Sequence, residues 1–158
     1  IQIKNSILIQ LNAYDYEYFL PLIYKLIKIK IFKRIGILLH PSVKENKKMN
    51  FFLYEIKKNK IIKIINNNNF PNYLNHYNIF LATQSSLVYN ALELGMDVFI
   101  YKKSFYYWHQ QLMDQKKVIS FSEDDDLKRV FSQKSTIKNN EEYFSIFNKN
   151  NLYKLLNK

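Results

Sequence analysis

The segment 78–101, NIFLATQSSLVYNALELGMDVFIY, constrains this chain more than any other. Ile79, Phe80, Leu81 and Ala82 form an apolar run long enough for a buried strand and too short for a helix. Thr83, Gln84, Ser85 and Ser86 follow as a polar turn. Ser85 or Ser86 suits a helix N-cap, because a serine oxygen accepts from the unpaired N–H groups of a first helical turn. Leu87, Val88, Ala91, Leu92 and Leu94 supply one apolar helical face, and Gly95 marks its end, since glycine enters the left-handed conformation without steric cost. Val98 to Tyr101 is a second apolar run. A strand, a helix of about nine residues and a strand form one βαβ unit with parallel strands, the pairing that requires such a crossover. In open α/β sheets, ligands bind beyond the carboxyl ends of the strands. The Thr83–Ser86 turn falls at that place.

The rest of the chain repeats this alternation. Ser6 to Leu11 is a predicted strand that ends at Asn12, with Asp15 placed to cap the next helix. Tyr18, Phe19, Leu22, Ile23, Leu26 and Ile27 recur at helical spacing. Pro21 lies within that pattern and is tolerated only near a first turn, where no backbone donor is lost. Lys25, Lys28 and Lys30 complement the helix's negative end. Ile35 to Leu39 is the second strand, stopped by His40-Pro41-Ser42. The spacing predicts a helix over 44–58 that packs through Phe51, Phe52, Leu53, Tyr54 and Ile56, then a strand over Ile61–Ile65. Asn66 to Asn69 is a loop signal, and 71–76 a short helix. Phe105 to Trp108 is an aromatic run whose Tyr106, Tyr107 and Trp108 are expected to pack on the sheet, ahead of a strand over Lys117–Phe121. Ser122 to Asp126 is an acid-rich helix start continued by Leu127, Val130 and Phe131. A last helix falls within 140–158. The pattern predicts an α/β fold: a Rossmann-like, doubly wound parallel sheet of about six strands with helices on both faces and right-handed crossovers. No internal repeat and no long linker divides it, so 1–158 is expected to be one domain.

Composition excludes several classes of function. The chain has no cysteine, hence neither disulfides nor thiolate metal sites. No apolar run reaches the ~18–20 residues of a membrane span, and the first residues carry no signal-peptide pattern, so a cytoplasmic location is expected. The net charge is +11, yet 22 lysines stand against two arginines, Arg34 and Arg129. Base readout favours arginine's bidentate fork, so nucleic acid is not an expected partner. The lysine excess accompanies high Asn, Ile, Tyr and Phe, the joint bias of an AT-rich coding sequence. Such a surface would still be drawn electrostatically to the inner face of an anionic membrane. Only Gly36 and Gly95 are glycines, so neither a dinucleotide fingerprint nor a P-loop is present. His40, His76 and His109 are too scattered to suggest zinc, and Asp124, Asp125 and Asp126 are adjacent solvated acids. No metal and no cofactor is expected.

Two strand ends carry polar residues that suit a phosphate. His40, Pro41 and Ser42 follow the second strand, and Thr83, Gln84, Ser85 and Ser86 follow the fourth. On a doubly wound sheet both project from one edge, where hydroxyls, an imidazole and helix N–H groups do the work of a glycine-rich loop.

An apolar strand ending in His40-Pro41, then a strand ending in Ser85-Ser86 ahead of Val88-Tyr89-Asn90-Ala91-Leu92 and Gly95, resembles the C-terminal half of a GT-B glycosyltransferase. The pattern is similar to bacterial enzymes of surface polysaccharide synthesis: sialyl- and polysialyltransferases, capsule transferases, and CDP-glycerol glycerophosphotransferases. It covers residues 6–122. The resemblance implies a nucleotide-linked donor (CMP, UDP or CDP), with its phosphate held by His40, Ser85 and Ser86 and His40 acting on the departing phosphate. It implies contacts from Asn12, Tyr89 and Asn90 to a ribose or sugar. It also implies metal-independent transfer to a glycan or lipid-linked acceptor, bound through a separate N-terminal domain that carries the general base. The chain departs from the family where Asn90 and Asp97 replace a frequent Glu and Pro. Two other readings share the fold class: a nucleotide-sugar 2-epimerase, and a non-catalytic basic module binding membrane or nucleic acid.

Overall fold

The computed structural model describes residues 5–12, 14–41, 43, 47–66, 73, 74 and 76–134. Six strands form one sheet: β1 (Ser6–Leu11), β2 (Arg34–Leu39), β3 (Ile62–Asn66), β4 (Ile79–Ala82), β5 (Asp97–Tyr101) and β6 (Ile119–Phe121). All pairings are parallel, in the order β3-β2-β1-β4-β5-β6. The helices are α1 (Tyr16–Ile29), α2 (Lys47–Lys57), α3 (Leu87–Glu93), α4 (Gln110–Asp114) and α5 (Leu127–Ser132), with a 3-10 turn at Tyr106–His109. This is the expected Rossmann-like, doubly wound α/β fold.

The strands are apolar on both faces because both are covered. Ile7, Ile9, Leu11, Ile79, Leu81 and Phe99 pack with α1, α2 and α5. Leu8, Phe80, Ala82, Val98 and Ile100 pack with α3, α4, Leu74 and Tyr77. Strand alternation sends successive residues to opposite faces, which explains the two interleaved sets. α1 shows how its sequence specifies one face: Tyr16, Phe19, Leu22, Ile23 and Leu26 are buried, each side chain contributing roughly 1.5–3 kcal/mol by burial.

Several expectations are corrected in detail. Tyr18 of α1, Phe51 and Tyr54 of α2 and Leu94 beyond α3 are exposed, and Tyr16 and Met49 take buried places instead. Met49, Phe52 and Ile56 are the buried stripe of α2, spaced three and four apart. Pro21 sits in the second turn of α1, not the first, at an exposed position. The acidic run is not a first helical turn. Asp125 closes a turn by accepting from the N–H of Ser122 at 2.7 Å, and Asp126 caps α5 by accepting from the N–H of Lys128 at 3.0 Å. Of the aromatic run, Tyr106 packs against the α3-side core as expected, whereas Tyr107 and Trp108 are 56% and 66% exposed. The expected loop residues 67–69, most of the short helix over 71–76, and the last helix lie outside the described residues. Gly95 does end α3, with φ of 70°. No helix among the described residues is long and apolar enough to cross a membrane.

Candidate functional site

β1 and β4 are neighbours whose outgoing connections part company. β1 leads to α1 on one face of the sheet, and β4 leads to α3 on the other. Between two connections that diverge in this way, a crevice opens at the carboxyl edge, the usual ligand site of open α/β sheets.

On the α1 side, Asn12 begins the turn after β1. Its Oδ1 accepts from the N–H groups of Tyr14 at 2.8 Å and Asp15 at 3.0 Å. Asp15 was expected to cap α1, but its side chain makes no cap bond. Its Oδ2 instead accepts from Asn12 Nδ2 and from the Thr83 hydroxyl, across the crevice mouth. Asp15 and Thr83 are both only 1% exposed, so this contact ties the end of β4 to the end of β1 away from water. Thr83 thereby donates its one proton to Asp15 and has none left for a phosphate. Thr83→Val keeps the shape and removes the donor. It is expected to destabilise the fold by about 2 kcal/mol, the scale of a hydrogen bond to a charged group. The shift of the urea midpoint checks this.

On the α3 side, Ser85 resolves the choice between the two serines as caps. Its Oγ accepts from the N–H of Leu87 at 3.0 Å, whereas Ser86, at the N-cap position, makes no such bond. The N–H of Ser85 donates to His109 Nε2 at 3.2 Å. His109 is 4% exposed and stands edge-on to Tyr89, with ring centroids 6.3 Å apart. Nε2 acts as an acceptor here, so the neutral ring carries its proton on Nδ1. Burial holds this imidazole below the ordinary histidine value of 6.5. The folded state therefore holds fewer protons than the unfolded state just below that value. The stability from a neutral His109 is complete above pH 6.5 and is lost as pH falls toward the folded value. Melting at pH 7.5 and 5.5 is expected to show this loss, with a smaller pH difference in His109→Asn.

The other sequence-predicted residues take separate places. His40 is exposed at the end of β2, and its N–H donates to Leu11 O at 2.8 Å. Pro41 is exposed beside it, and Ser42 lies outside the described residues. Gln84 and Ser85 are half-buried, Ser86 and Asn90 are exposed, and Tyr89 is 43% exposed. The structure thus brings Asn12, Thr83, Gln84 and Ser85 to the β1–β4 crevice. It sets His40 one strand further out, since β1 lies between β2 and β4.

The distribution of unpartnered polar atoms singles out this edge. Among the described residues, four buried side-chain atoms have no hydrogen-bond partner: Gln10 Oε1, Asp15 Oδ1, Gln84 Oε1 and His109 Nδ1. They belong to the carboxyl end of β1 (Gln10), the turn that follows it (Asp15), the turn after β4 (Gln84) and the imidazole bonded to that turn (His109). At the opposite edge, polar groups satisfy one another: Asn78 Oδ1 accepts from Ser6 N at 2.8 Å and from Ser6 Oγ at 3.0 Å. Buried polar groups are paired as a rule, so a cluster of exceptions calls for a specific cause.

Sequence reasoning missed Gln10, Asp15's reach and His109. Gln10 did leave a signal, as the one amide within an otherwise apolar buried strand. His109 left none, because only the fold brings it to Ser85, 24 residues away in the chain. The chain matches no protein-family model and no curated protein.

Proposed function

We propose that this chain is the donor-binding domain of a metal-independent GT-B-type glycosyltransferase that builds a bacterial surface glycan. The observation that carries this reading is the collection of four unpartnered buried polar atoms at the switch point of a β3-β2-β1-β4-β5-β6 parallel sheet. A crevice of that kind suits a nucleotide-linked donor.

The strand ends set the scale of the ligand. The ends of β2 and β4 are two strand spacings apart, about 10 Å. A gap of that width leaves room for one phosphate between side chains that reach in from either end. In this reading His40 meets the phosphate from β2, and the hydroxyls of Ser85 and Ser86 meet it from β4. Hydrogen bonds to a phosphate oxygen are charge-assisted, and their stabilisation grows as charge develops on the leaving group. In transfer, an acceptor hydroxyl oxygen bonds to the anomeric carbon and the bond from that carbon to the phosphate oxygen breaks. The nucleotide leaves as the anion, and the hydroxyl proton passes to a base on the acceptor side. Phe105, Tyr107 and Trp108 are exposed just beyond β5, on the same edge, and offer ring faces to an acceptor sugar.

Amide chemical-shift mapping tests the reading. Adding CMP, CDP or UDP is expected to move the signals of residues 12–15, 40 and 84–86 and to leave Asn78 and Asp97 at the opposite edge unmoved. Movement confined to surface lysines, equal for every anion and abolished by salt, would replace it with the basic-module reading.

A further inference from the structure

The unpartnered atoms sort by face, and the sorting names a chemistry. Leu8 packs on the α3 side of the sheet and Ile9 and Leu11 on the α1 side, so strand alternation puts Gln10 on the α3 side. β1 and β4 pair with Ile9 opposite Leu81, which sets Gln10 opposite Ala82, also on the α3 side. Gln84 follows in the turn after β4 and directly precedes Ser85, whose N–H donates to His109. His109 joins them there: it precedes α4, whose Leu112 packs on that face, and it holds the N–H of Ser85. Gln10 Oε1 and Gln84 Oε1 are acceptors and His109 Nδ1–H is a donor, all buried and unpartnered.

We propose that Gln10, Gln84 and His109 form a subsite on the α3 side of the crevice that binds the hydroxyl groups of a sugar ring rather than phosphate. Two acceptors and one donor at this edge suit a ligand group that both gives and takes hydrogen bonds, as vicinal hydroxyls do. An ionised phosphate only accepts and would leave both carboxamide oxygens unsatisfied. His109 also positions the subsite, because its Nε2 fixes the Ser85 N–H and with it the turn that carries Gln84. This deepens the donor-binding reading and rests on it for the ligand's identity, while the chemistry of the subsite can be tested separately. The hydroxyls belong either to the donor's ribose or to its transferred sugar.

Imidazole nitrogen NMR on the intact chain separates the outcomes. The probes are cytidine, 2′,3′-dideoxycytidine, methyl glucoside, CMP and pyrophosphate. His109 Nδ1 is expected to shift with cytidine or with methyl glucoside, and the active one identifies the source of the hydroxyls. Dideoxycytidine and pyrophosphate are expected to leave it in place. Gln10→Met, which keeps the length and loses the acceptor, is expected to weaken the active probe about tenfold, as the loss of one buried hydrogen bond would. An equal shift with dideoxycytidine, or a shift with pyrophosphate alone, overturns the hydroxyl assignment. If CMP moves Ser85 and His40 but leaves Nδ1 unmoved, the subsite fails and the donor reading survives. If no probe moves any residue of the edge, both fail.

Discussion

Gly36→Val is expected to destabilise the protein by about 3 kcal/mol, at the upper end of the cost of overfilling a packed core. Gly36 lies in the middle of β2, in register with Leu8 on one side and Lys63 on the other. A Cβ there would meet Tyr77 Cζ and Oη at 2.6 Å and Leu8 Cδ1 at 2.9 Å. Tyr77 is 1% exposed and packs within the α3-side core, so its ring has no solvent to move into. The sign of the smaller change, Gly36→Ala, is informative. With open space above it, alanine would stabilise the strand by roughly 0.5–1 kcal/mol through lost unfolded-state freedom. Against Tyr77 it is expected to destabilise, and Tyr77→Phe, which removes one of the three clashing atoms, is expected to restore part of the loss. Denaturant midpoints of the two single variants and the double variant measure that coupling. A neutral Gly36→Val would mean that Tyr77 does not lie over the sheet where these contacts place it.

The second large effect concerns ligand affinity. His40→Ala, and separately Ser85→Ala with Ser86→Ala, are each expected to weaken nucleotide binding by about ten- to a hundredfold, the equivalent of one or two charge-assisted hydrogen bonds. The serine pair needs a control, because Ser85 Oγ also accepts from the N–H of Leu87. Loss of that bond costs about 1 kcal/mol of stability. Binding is therefore measured well below the melting temperature, where a small stability loss leaves the folded fraction unchanged. His40 takes the same control: it is exposed, and its backbone N–H and carbonyl, which alanine keeps, bond Leu11 and Val43. His40→Ala is expected to lower affinity at an unchanged folded fraction, and an unchanged affinity would move His40 out of the site.

Much of the fold was legible because burial on two faces leaves a plain mark in sequence. Ser6–Leu11, Arg34–Leu39 and Ile79–Ala82 are short apolar runs between polar stops, and each is a strand of the sheet. The errors arose where one residue type serves two purposes. Tyr18, Phe51 and Tyr54 fit a helical apolar stripe by spacing but are exposed, and Tyr16 and Met49 take inward places, the latter beside the expected Phe52 and Ile56. In a chain this rich in aromatics, spacing alone does not separate the two sets. In the aromatic run the 3-10 turn at Tyr106–His109 sets Tyr106 against the core and leaves Tyr107 and Trp108 exposed, a division that spacing does not encode.

The candidate site was legible in a different degree. Thr83 to Ser86 stood out because hydroxyls after a buried strand have few structural reasons to gather. Asp15 was noticed for the wrong reason: a residue before a helix suggests a cap, yet its carboxylate reaches 68 residues along the chain to Thr83. Gln10 and His109 acquire meaning only through the register of β1 with β4 and through the bond to Ser85. Such pairings are tertiary, and no local periodicity encodes them.

The most direct test is a calorimetric titration of the unsubstituted protein with CMP, CDP, UDP and inorganic phosphate at physiological salt. The account predicts that one nucleotide binds with a stoichiometry of about one, more tightly than phosphate, and that its base names the donor class. Four anions binding alike, with affinity that vanishes as salt rises, would contradict it and leave a basic surface in place of a nucleotide site.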